Sequence, residues 1–274
     1  MTIDPELQSA HAALVQQFDA VNGAQSNDNN VLASIGSQLA MLKVMLTERD
    51  ILYPQQSDVQ QHKDALVLTR EVLEIGALWS IRVQDTSSFD RYWSQLKPFY
   101  LDLVHALPLS KNYEPIVGLS LLRSLSSNSI ASFHIALESL PMELVRDSPY
   151  IQHPVLLERW LMEGSYSNVW RERENVPLEE YRFFVNILMV TIRHEIASCE
   201  EKAYDTLPLN DVATLLFLDS LPEVLEFAKE RGWHVNPTNQ TIEFANKAVE
   251  PTSENERIPT CLLYTSPSPR DKRQ

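Results

Sequence analysis

The sequence predicts a mostly α-helical protein, in which a solenoid of paired helices precedes a C-terminal winged helix. Only 6 of the 274 residues are glycine, and apolar residues recur at spacings of three and four along most of the chain, as amphipathic helices require. After residue 203 the pattern becomes helix, turn, helix and two short alternating segments. We therefore predict a repeat region over 1–150, a helical linker over 151–203, a winged helix over 204–247 and a tail over 248–260.

The repeat region is predicted to consist of helices separated by prolines or polar runs. Two antiparallel helices in about thirty to forty residues resemble repeats of the tetratricopeptide kind. Ser88 is the expected N-cap of the fourth helix, and Pro98 inside the same helix predicts a kink. The predicted helices span 5–21, 31–52, 58–83, 88–103, 112–126 and 129–140. The second carries an apolar stripe formed by Leu32, Ile35, Leu39, Leu42 and Leu46.

In the linker, a break at Gly164 separates one predicted helix from a second, serine-capped helix. A third, longer helix is predicted over 181–204. Tyr166 and Trp170 directly follow the glycine break. We predict that both are half exposed and anchor a partner protein, although aromatic residues at such a turn more often belong to the core.

The winged helix is predicted from turn and capping residues around short apolar runs. Its elements, in order, are a helix capped by Asn210 and Asp211, a second helix over 220–231 that ends at Gly232, and strands over 233–235 and 241–245. Gly232 stands where a helix end needs a left-handed residue. A turn over 236–240 joins the two strands into a hairpin.

Two surfaces of this predicted winged helix are candidate partner-binding sites. The second helix presents an acidic face of Glu223, Glu226 and Glu230, which suits a basic partner or simply water. The return strand, with Thr241 and Glu243, is expected to be the outer edge of a small sheet. Such an edge either accepts a neighbour's strand or is covered by the tail.

The charge of the chain argues against nucleic acid and membranes as partners. The formal net charge is −14, and no run of lysine or arginine is present to replace counterions along a phosphate backbone. The predicted winged helix is itself net negative. No apolar run looks long enough to span a bilayer, and the N-terminal residues lack the pattern of a signal peptide, so we expect an intracellular protein.

No catalytic, cofactor or metal site is predicted, and we expect no enzymatic activity. The pair His194-Glu195 begins like a zinc-protease helix, but Ser198 stands where the second histidine would be needed. Cys199 is expected in the core, and the pair Glu200-Glu201 on a solvated face. The pair His153-Pro154 is expected at a helix start, where His153 has a capping or turn role.

Four motifs resemble a known family. They are Phe-Asp-Arg-Tyr-Trp-Ser-Gln-Leu-Lys at 89–97, Met-Glu-Gly-Ser-Tyr at 162–166, Ile-Arg-His-Glu-Ile-Ala at 192–197 with Glu-Lys-Ala-Tyr at 201–204, and Ala-Lys-Glu-Arg-Gly-Trp at 228–233. Over about 85–245 the chain resembles the small PCI-domain subunits of the 26S proteasome lid. Subunit k of translation initiation factor three and the smallest PCI subunit of the COP9 signalosome share the architecture but match these motifs less closely.

The resemblance implies a non-catalytic scaffold that mediates lid assembly and the joining of lid to base, in cytoplasm and nucleus. It implies other PCI subunits of the lid as partners, a position near the ubiquitin-receptor subunit, and a monomer when the protein is isolated. The alternatives are the equivalent subunit of the initiation factor or the signalosome and, less favoured, a nucleic-acid-binding winged helix.

The last fourteen residues depart from this resemblance, which implies an amphipathic C-terminal helix. Pro267 and Pro269 lie two residues apart, and two such prolines cannot both occupy a helix interior. We therefore interpret 261–274 as translated cloning sequence rather than native chain.

Overall fold

A computed structural model describes residues 5–24, 29–49, 52, 63–103, 106–218, 220–236 and 239–244. These residues are mostly helical, as predicted. The chain forms two compact units, and the boundary between them lies between Ile192 and Arg193.

In the N-terminal unit most helices pack on their neighbours in sequence, and α5 also packs on the more distant α8. Its helices are α1 (Pro5–Ala24), α2 (Asn29–Glu48), α3 (Lys63–Arg82), α4 (Thr86–Leu101), α5 (Tyr113–Ser126), α6 (Ile130–Glu138), α7 (Met142–Asp147), α8 (Pro149–Met162), α9 (Tyr166–Glu172) and the first part of α10 (Glu179–Ala203). α1 packs on α2, α3 on α4, and α5 on both α6 and α8. Each helix predicted for the repeat region corresponds to a helix within the described residues, although 50–51 and 58–62 of those predictions fall outside them, whereas α7 was not predicted.

The apolar stripe predicted on α2 is confirmed, because all five of its residues are at most 5% exposed. Its inner face also receives the indole of Trp79, whose Nε1 donates a hydrogen bond to the carbonyl of Leu32 at 2.8 Å. The prediction that no stretch could span a bilayer is wrong, since Asn30–Glu48 is long and apolar enough by length and composition. Only 28% of this stretch is buried, and α2 packs on its neighbours through the face that carries the stripe.

The N-cap of α4 is Asp85 rather than the predicted Ser88. One carboxylate oxygen of Asp85 accepts hydrogen bonds from the backbone N–H of Ser87 at 3.0 Å and of Ser88 at 3.3 Å. Hydrogen bonds from Ser88 and Ser87 lower the pKa of Asp85 to about 2. Asp85 rather than Ser88 caps the helix because its carboxylate also accepts hydrogen bonds from both serine hydroxyls. α4 continues through Pro98, and the kink expected there stays a prediction.

The expectation that His153 lies at a helix start is wrong. α8 begins at Pro149, so His153 lies in its second turn, where it is 8% exposed and its ring faces Tyr181 at a centroid distance of 6.1 Å. Pro154 also lies inside α8, and its missing N–H leaves the carbonyl of Tyr150 without the usual helical donor. The hydroxyl of Tyr181 donates to that carbonyl at 3.2 Å, which accounts for a proline in this helix.

The C-terminal unit contains the end of α10, a three-stranded sheet and two short helices. Its elements are β1 (Thr206–Pro208), α11 (Leu209–Leu215), α12 (Leu221–Arg231), β2 (His234–Asn236) and β3 (Thr241–Glu243). Gly232 ends α12 with φ of 73°, as predicted. α11 starts one residue before the expected Asn210 cap, and no side chain caps it. The core contains Ala197, Val212, Leu216, Val224, Ala228, Trp233, Ile242 and Phe244.

The prediction that the return strand is a sheet edge is wrong. The strand order is β1-β3-β2, so β3 is the central strand and pairs antiparallel with both neighbours. Thr241 faces Pro208 on one side and Asn236 on the other in this register. The unpredicted strand β1 occupies the edge that was expected to be free. A neighbour's strand therefore cannot add to β3.

Candidate functional site

The helix α12 presents one side to the core of the C-terminal unit and the other to solvent. Val224 and Ala228 are fully buried. Glu223, Glu226 and Glu230 are exposed, as predicted. They share the outer face with two apolar side chains one turn apart, Leu221 at 50% and Leu225 at 37% exposure. An apolar stripe beside an acidic stripe fits a partner that offers apolar side chains next to lysine or arginine.

Arg231 attaches α12 to α10. Its guanidinium donates to the carbonyl of His194 at 2.5 Å and to the hydroxyl of Ser198 at 3.3 Å, and it lies 3.7 Å from the carboxylate of Glu201. The indole Nε1 of Trp233 donates to the same carboxylate at 2.7 Å. Two motifs that carry the family resemblance therefore meet here. Their role is to hold α12 in place.

Arg193 fixes the turn that precedes α12. Its guanidinium donates to the carbonyls of Leu216 at 3.2 Å and Phe217 at 3.3 Å. Phe217 has φ of 53°, a left-handed conformation that is unusual for a bulky residue. The roles of Arg193 and Arg231 were not predicted from the sequence. The only sign of their importance was that both lie in motifs that carry the family resemblance.

The other predicted partner-binding residues are distributed over both units. In the N-terminal unit, Tyr166 and Trp170 are half buried on α9, and the Arg173 guanidinium lies 4.4 Å from the centre of the Trp170 ring. In the C-terminal unit, Thr241 and Glu243 lie on the central strand. Partner binding by these four residues stays a prediction. For Thr241 and Glu243 the original reason, a free sheet edge, no longer holds because β3 is the central strand.

Two expectations about the end of α10 are wrong. Cys199 is exposed rather than part of the core. Glu200 is 5% exposed, and neither of its carboxylate oxygens has a hydrogen-bond partner among the described residues. Burial raises the pKa of Glu200 to about 7. Among the residues that the structure describes, no group of three His, Cys, Asp or Glu side chains could hold a metal ion.

The buried carboxyl of Glu200 predicts a pH-dependent stability. Its pKa is higher in the folded than in the unfolded state, so protonation favours the fold below the ordinary glutamate pKa. This contribution is lost as the pH rises from about 4.5 through about 7. Glu200→Gln is therefore expected to raise the Tm of the chain above that of the parent at pH 8, and to have less effect at pH 5.

Thermal unfolding followed by circular dichroism between pH 5 and pH 8 measures this difference. Glu195→Gln is the matched control, because Glu195 lies on the same helix and is exposed. An equal response of the two variants to pH would contradict a buried, unpaired carboxyl at position 200.

The sequence matches the family described as CSN8/PSMD8/EIF3K over residues 111–253, more than half of the chain. The chain belongs to the CSN8/PSMD8/EIF3K family. The matched residues include α9, α12 and the whole sheet, so the candidate surfaces lie within the part of the chain that this family shares.

Curated members of the CSN8/PSMD8/EIF3K family match most of the chain. The chain is 34% identical to 26S proteasome regulatory subunit RPN12 of Saccharomyces cerevisiae over 81% of its own length and 82% of the yeast protein. It is 36% identical to 26S proteasome non-ATPase regulatory subunit 8 homolog A of Arabidopsis thaliana, over 85% of each protein. It is 38% identical to 26S proteasome regulatory subunit rpn12 of Schizosaccharomyces pombe, over 72% of this chain and 71% of that protein. The resemblance to PCI-domain subunits of the proteasome lid is confirmed.

Proposed function

We propose that this chain is a non-catalytic scaffold subunit of the 26S proteasome lid, which mediates lid assembly and the joining of lid to base. The observation that carries the proposal is that relatives matching most of the chain are named as 26S proteasome regulatory subunits. The family match alone does not favour the proteasome, because its description names three kinds of subunit.

The architecture of a PCI protein is part of the proposal. Helices that pack in sequential pairs support a degenerate repeat solenoid in the N-terminal unit. The order of β1, α11, α12, β2 and β3, with the two helices packed on each other, supports a winged helix in the C-terminal unit. The solvent-facing side of α12 carries glutamates, and this favours protein docking over nucleic-acid binding.

Other PCI subunits of the lid are the proposed partners, and the outer face of α12 is a proposed contact. The two leucines supply apolar area, while Glu226 and Glu230 select a partner with basic side chains. We place the protein in the cytoplasm and nucleus, near the ubiquitin-receptor subunit. It would be a monomer when isolated.

Affinity purification of the tagged full chain from cells, followed by mass spectrometry, tests the function. Recovery of lid, base and core subunits of the proteasome is the expected result. Recovery of initiation factor three or signalosome subunits instead would agree with the family assignment but contradict the proposed membership of the proteasome.

A second form of the chain tests the α12 surface. Glu226→Lys with Glu230→Lys is expected to reduce recovery of proteasome subunits at least several-fold, because reversed charges repel a basic partner surface. Exposed substitutions of this kind change Tm by only about 2 °C. Glu223 stays in place, since an acidic residue in the first turn interacts favourably with the helix dipole.

The matched control is Glu48→Lys with Asp64→Lys, which reverses two exposed acidic residues in the other unit that no proposed contact includes. If both double variants recover proteasome subunits as the parent does, the α12 surface is not a contact, whereas the complex itself remains supported.

A further inference from the structure

The described part of the N-terminal unit contains a cavity of about 290 Å³ that none of the surfaces above involves. Its wall is formed by the end of α4, residues of the two segments that connect α4 to α5 and α6 to α7, the beginnings of α5 and α7, and one side chain of α3. The residues that define it are Arg70, Phe99, Tyr100, Leu103, Tyr113 and Leu144. We call it the Arg70 cavity.

The mouth of the Arg70 cavity is apolar and exposed. Leu101 and Leu109 belong to its wall, and they are 54% and 72% exposed. Next to Pro141, which is also part of the wall, Met142 is 80% exposed. Clustered, exposed apolar side chains around a concavity are typical of a protein-binding site, because an anchor side chain can be fully desolvated there.

The inner wall of the cavity carries a buried cation. Arg70 is 5% exposed and donates from one terminal nitrogen to the carbonyl of Pro108 at 2.6 Å. Its Nε lies 3.4 Å from Glu74 Oε1 and has no hydrogen-bond partner among the described residues. The Glu74 carboxylate accepts hydrogen bonds from the hydroxyl of Tyr100, the hydroxyl of Ser110 and the side-chain amide of Asn112. The guanidinium is therefore the charged group that the cavity wall offers to an occupant.

The volume of the Arg70 cavity and the chemistry of its wall together indicate which kind of side chain it binds. A cavity of about 150 Å³ holds one benzene ring, so the Arg70 cavity has room for a fused two-ring system. Phe99, Tyr100 and Tyr113 line it, and the last two stack edge to face at 4.8 Å. Aromatic walls favour an aromatic guest, and a guanidinium binds the face of an indole better than that of any other ring.

We propose that the Arg70 cavity binds a tryptophan side chain presented by a partner protein. A second copy of this chain is a poor source. None of its five tryptophans is among the exposed hydrophobic side chains, and the indole N–H groups of Trp79 and Trp233 are already used within the fold. The site does not depend on which complex the chain joins.

N-Acetyl-L-tryptophanamide is the probe, titrated into the full chain with isotope-labelled leucine methyl groups. The expected dissociation constant is about 0.1–1 mM, in line with the binding energy per atom of small ligands. Methyl signals of Leu101, Leu103 and Leu109 are expected to shift, while that of Leu215 in the other unit stays unchanged. N-Acetyl-L-leucinamide is expected to bind at least tenfold more weakly.

Leu144→Trp is the blocking variant, because an indole attached to the cavity wall fills the space from within. It is expected to abolish the probe-induced shifts while the Tm stays at or above that of the parent. Leu215→Trp makes the same substitution at an exposed leucine outside the cavity and is expected to bind the probe normally.

Three outcomes would overturn the proposal. The first is the absence of methyl shifts at 5 mM probe, a concentration ~5-fold above the largest expected dissociation constant. The second is unchanged probe binding by folded Leu144→Trp. The third is equal binding of the leucine analogue, which would assign the cavity to an aliphatic side chain.

Discussion

Replacing Glu74 by alanine is expected to destabilise the N-terminal unit by about 3–5 kcal/mol, which is the usual cost of removing one partner of a buried ion pair. Glu74 is 1% exposed, and its ion-pair partner Arg70 is 5% exposed. The alanine variant leaves the guanidinium as an uncompensated buried charge. It also removes the acceptor of three hydrogen bonds, from Tyr100, Ser110 and Asn112. Since domains are stable by only about 5–15 kcal/mol, this loss is a large fraction of the total.

Urea unfolding of the full chain, monitored by tryptophan fluorescence, measures this loss of stability. Four of the five tryptophans lie in the N-terminal unit, so the signal reports mainly on that unit. Glu71→Ala is the matched control on the same helix. The Glu71 side chain is 44% exposed and lies 3.2 Å from His11, so its removal is expected to cost less than about 1 kcal/mol. If Glu74→Ala and Glu71→Ala have the same free energy of unfolding, Glu74 does not hold a buried network.

The long helices were predictable because their apolar periodicity directly reports burial. The five residues of the α2 stripe and the extent of α5 follow from spacing alone. Spacing alone did not identify Glu200. Val185, Met189 and Ile192 are buried at intervals of four and three, and continuing these intervals reaches 199 as readily as 200. The buried face at the end of α10 is instead marked by Ala197 and Glu200, three residues apart, and Cys199 was assigned to the core because of its residue type.

The sheet could not be derived in the same way. β1 has three residues, one of which is a proline, so it shows neither alternation nor strand propensity. It pairs with β3 because Leu207 contributes a side chain to the core of the C-terminal unit. A strand defined by long-range pairing rather than local pattern leaves no signal in the sequence, and without it β3 was misread as an edge.

The candidate surfaces were only partly predictable, for a related reason. The glutamates of α12 were expected to be exposed because the apolar side of the helix was evident from spacing. The exposure of the neighbouring Leu221 and Leu225, by contrast, was not predicted. The Arg70 cavity depends on side chains from four helices and two connecting segments, and no local pattern brings such distant positions together.

Gly118→Ala is expected to destabilise the N-terminal unit by about 2–5 kcal/mol. In an unobstructed helix this change would be stabilising by about 1 kcal/mol, because alanine is the better helix former. Here an added Cβ would collide with the hydroxyl of Tyr181 and with the carbonyl oxygen of Tyr150. The carbonyl belongs to the backbone of α8 and cannot rotate away. The steric effect therefore outweighs helix propensity, and the sign of the change reverses.

The hydroxyl of Tyr181 makes this collision costly, because its single hydrogen is shared between the carbonyls of Pro115 and Tyr150, and moving the hydroxyl weakens both contacts. Urea unfolding measures the loss, and Gly164→Ala is the control. Gly164 has φ of 70° and nothing within 4 Å of an added Cβ, so its cost is only the strain of a left-handed alanine, about 1–2 kcal/mol. Tyr181→Phe in the Gly118→Ala background is expected to cost less than the two single changes predict, because removing the hydroxyl relieves part of the collision. A stabilised Gly118→Ala variant would mean that α5 and α8 do not pack as closely as this contact requires.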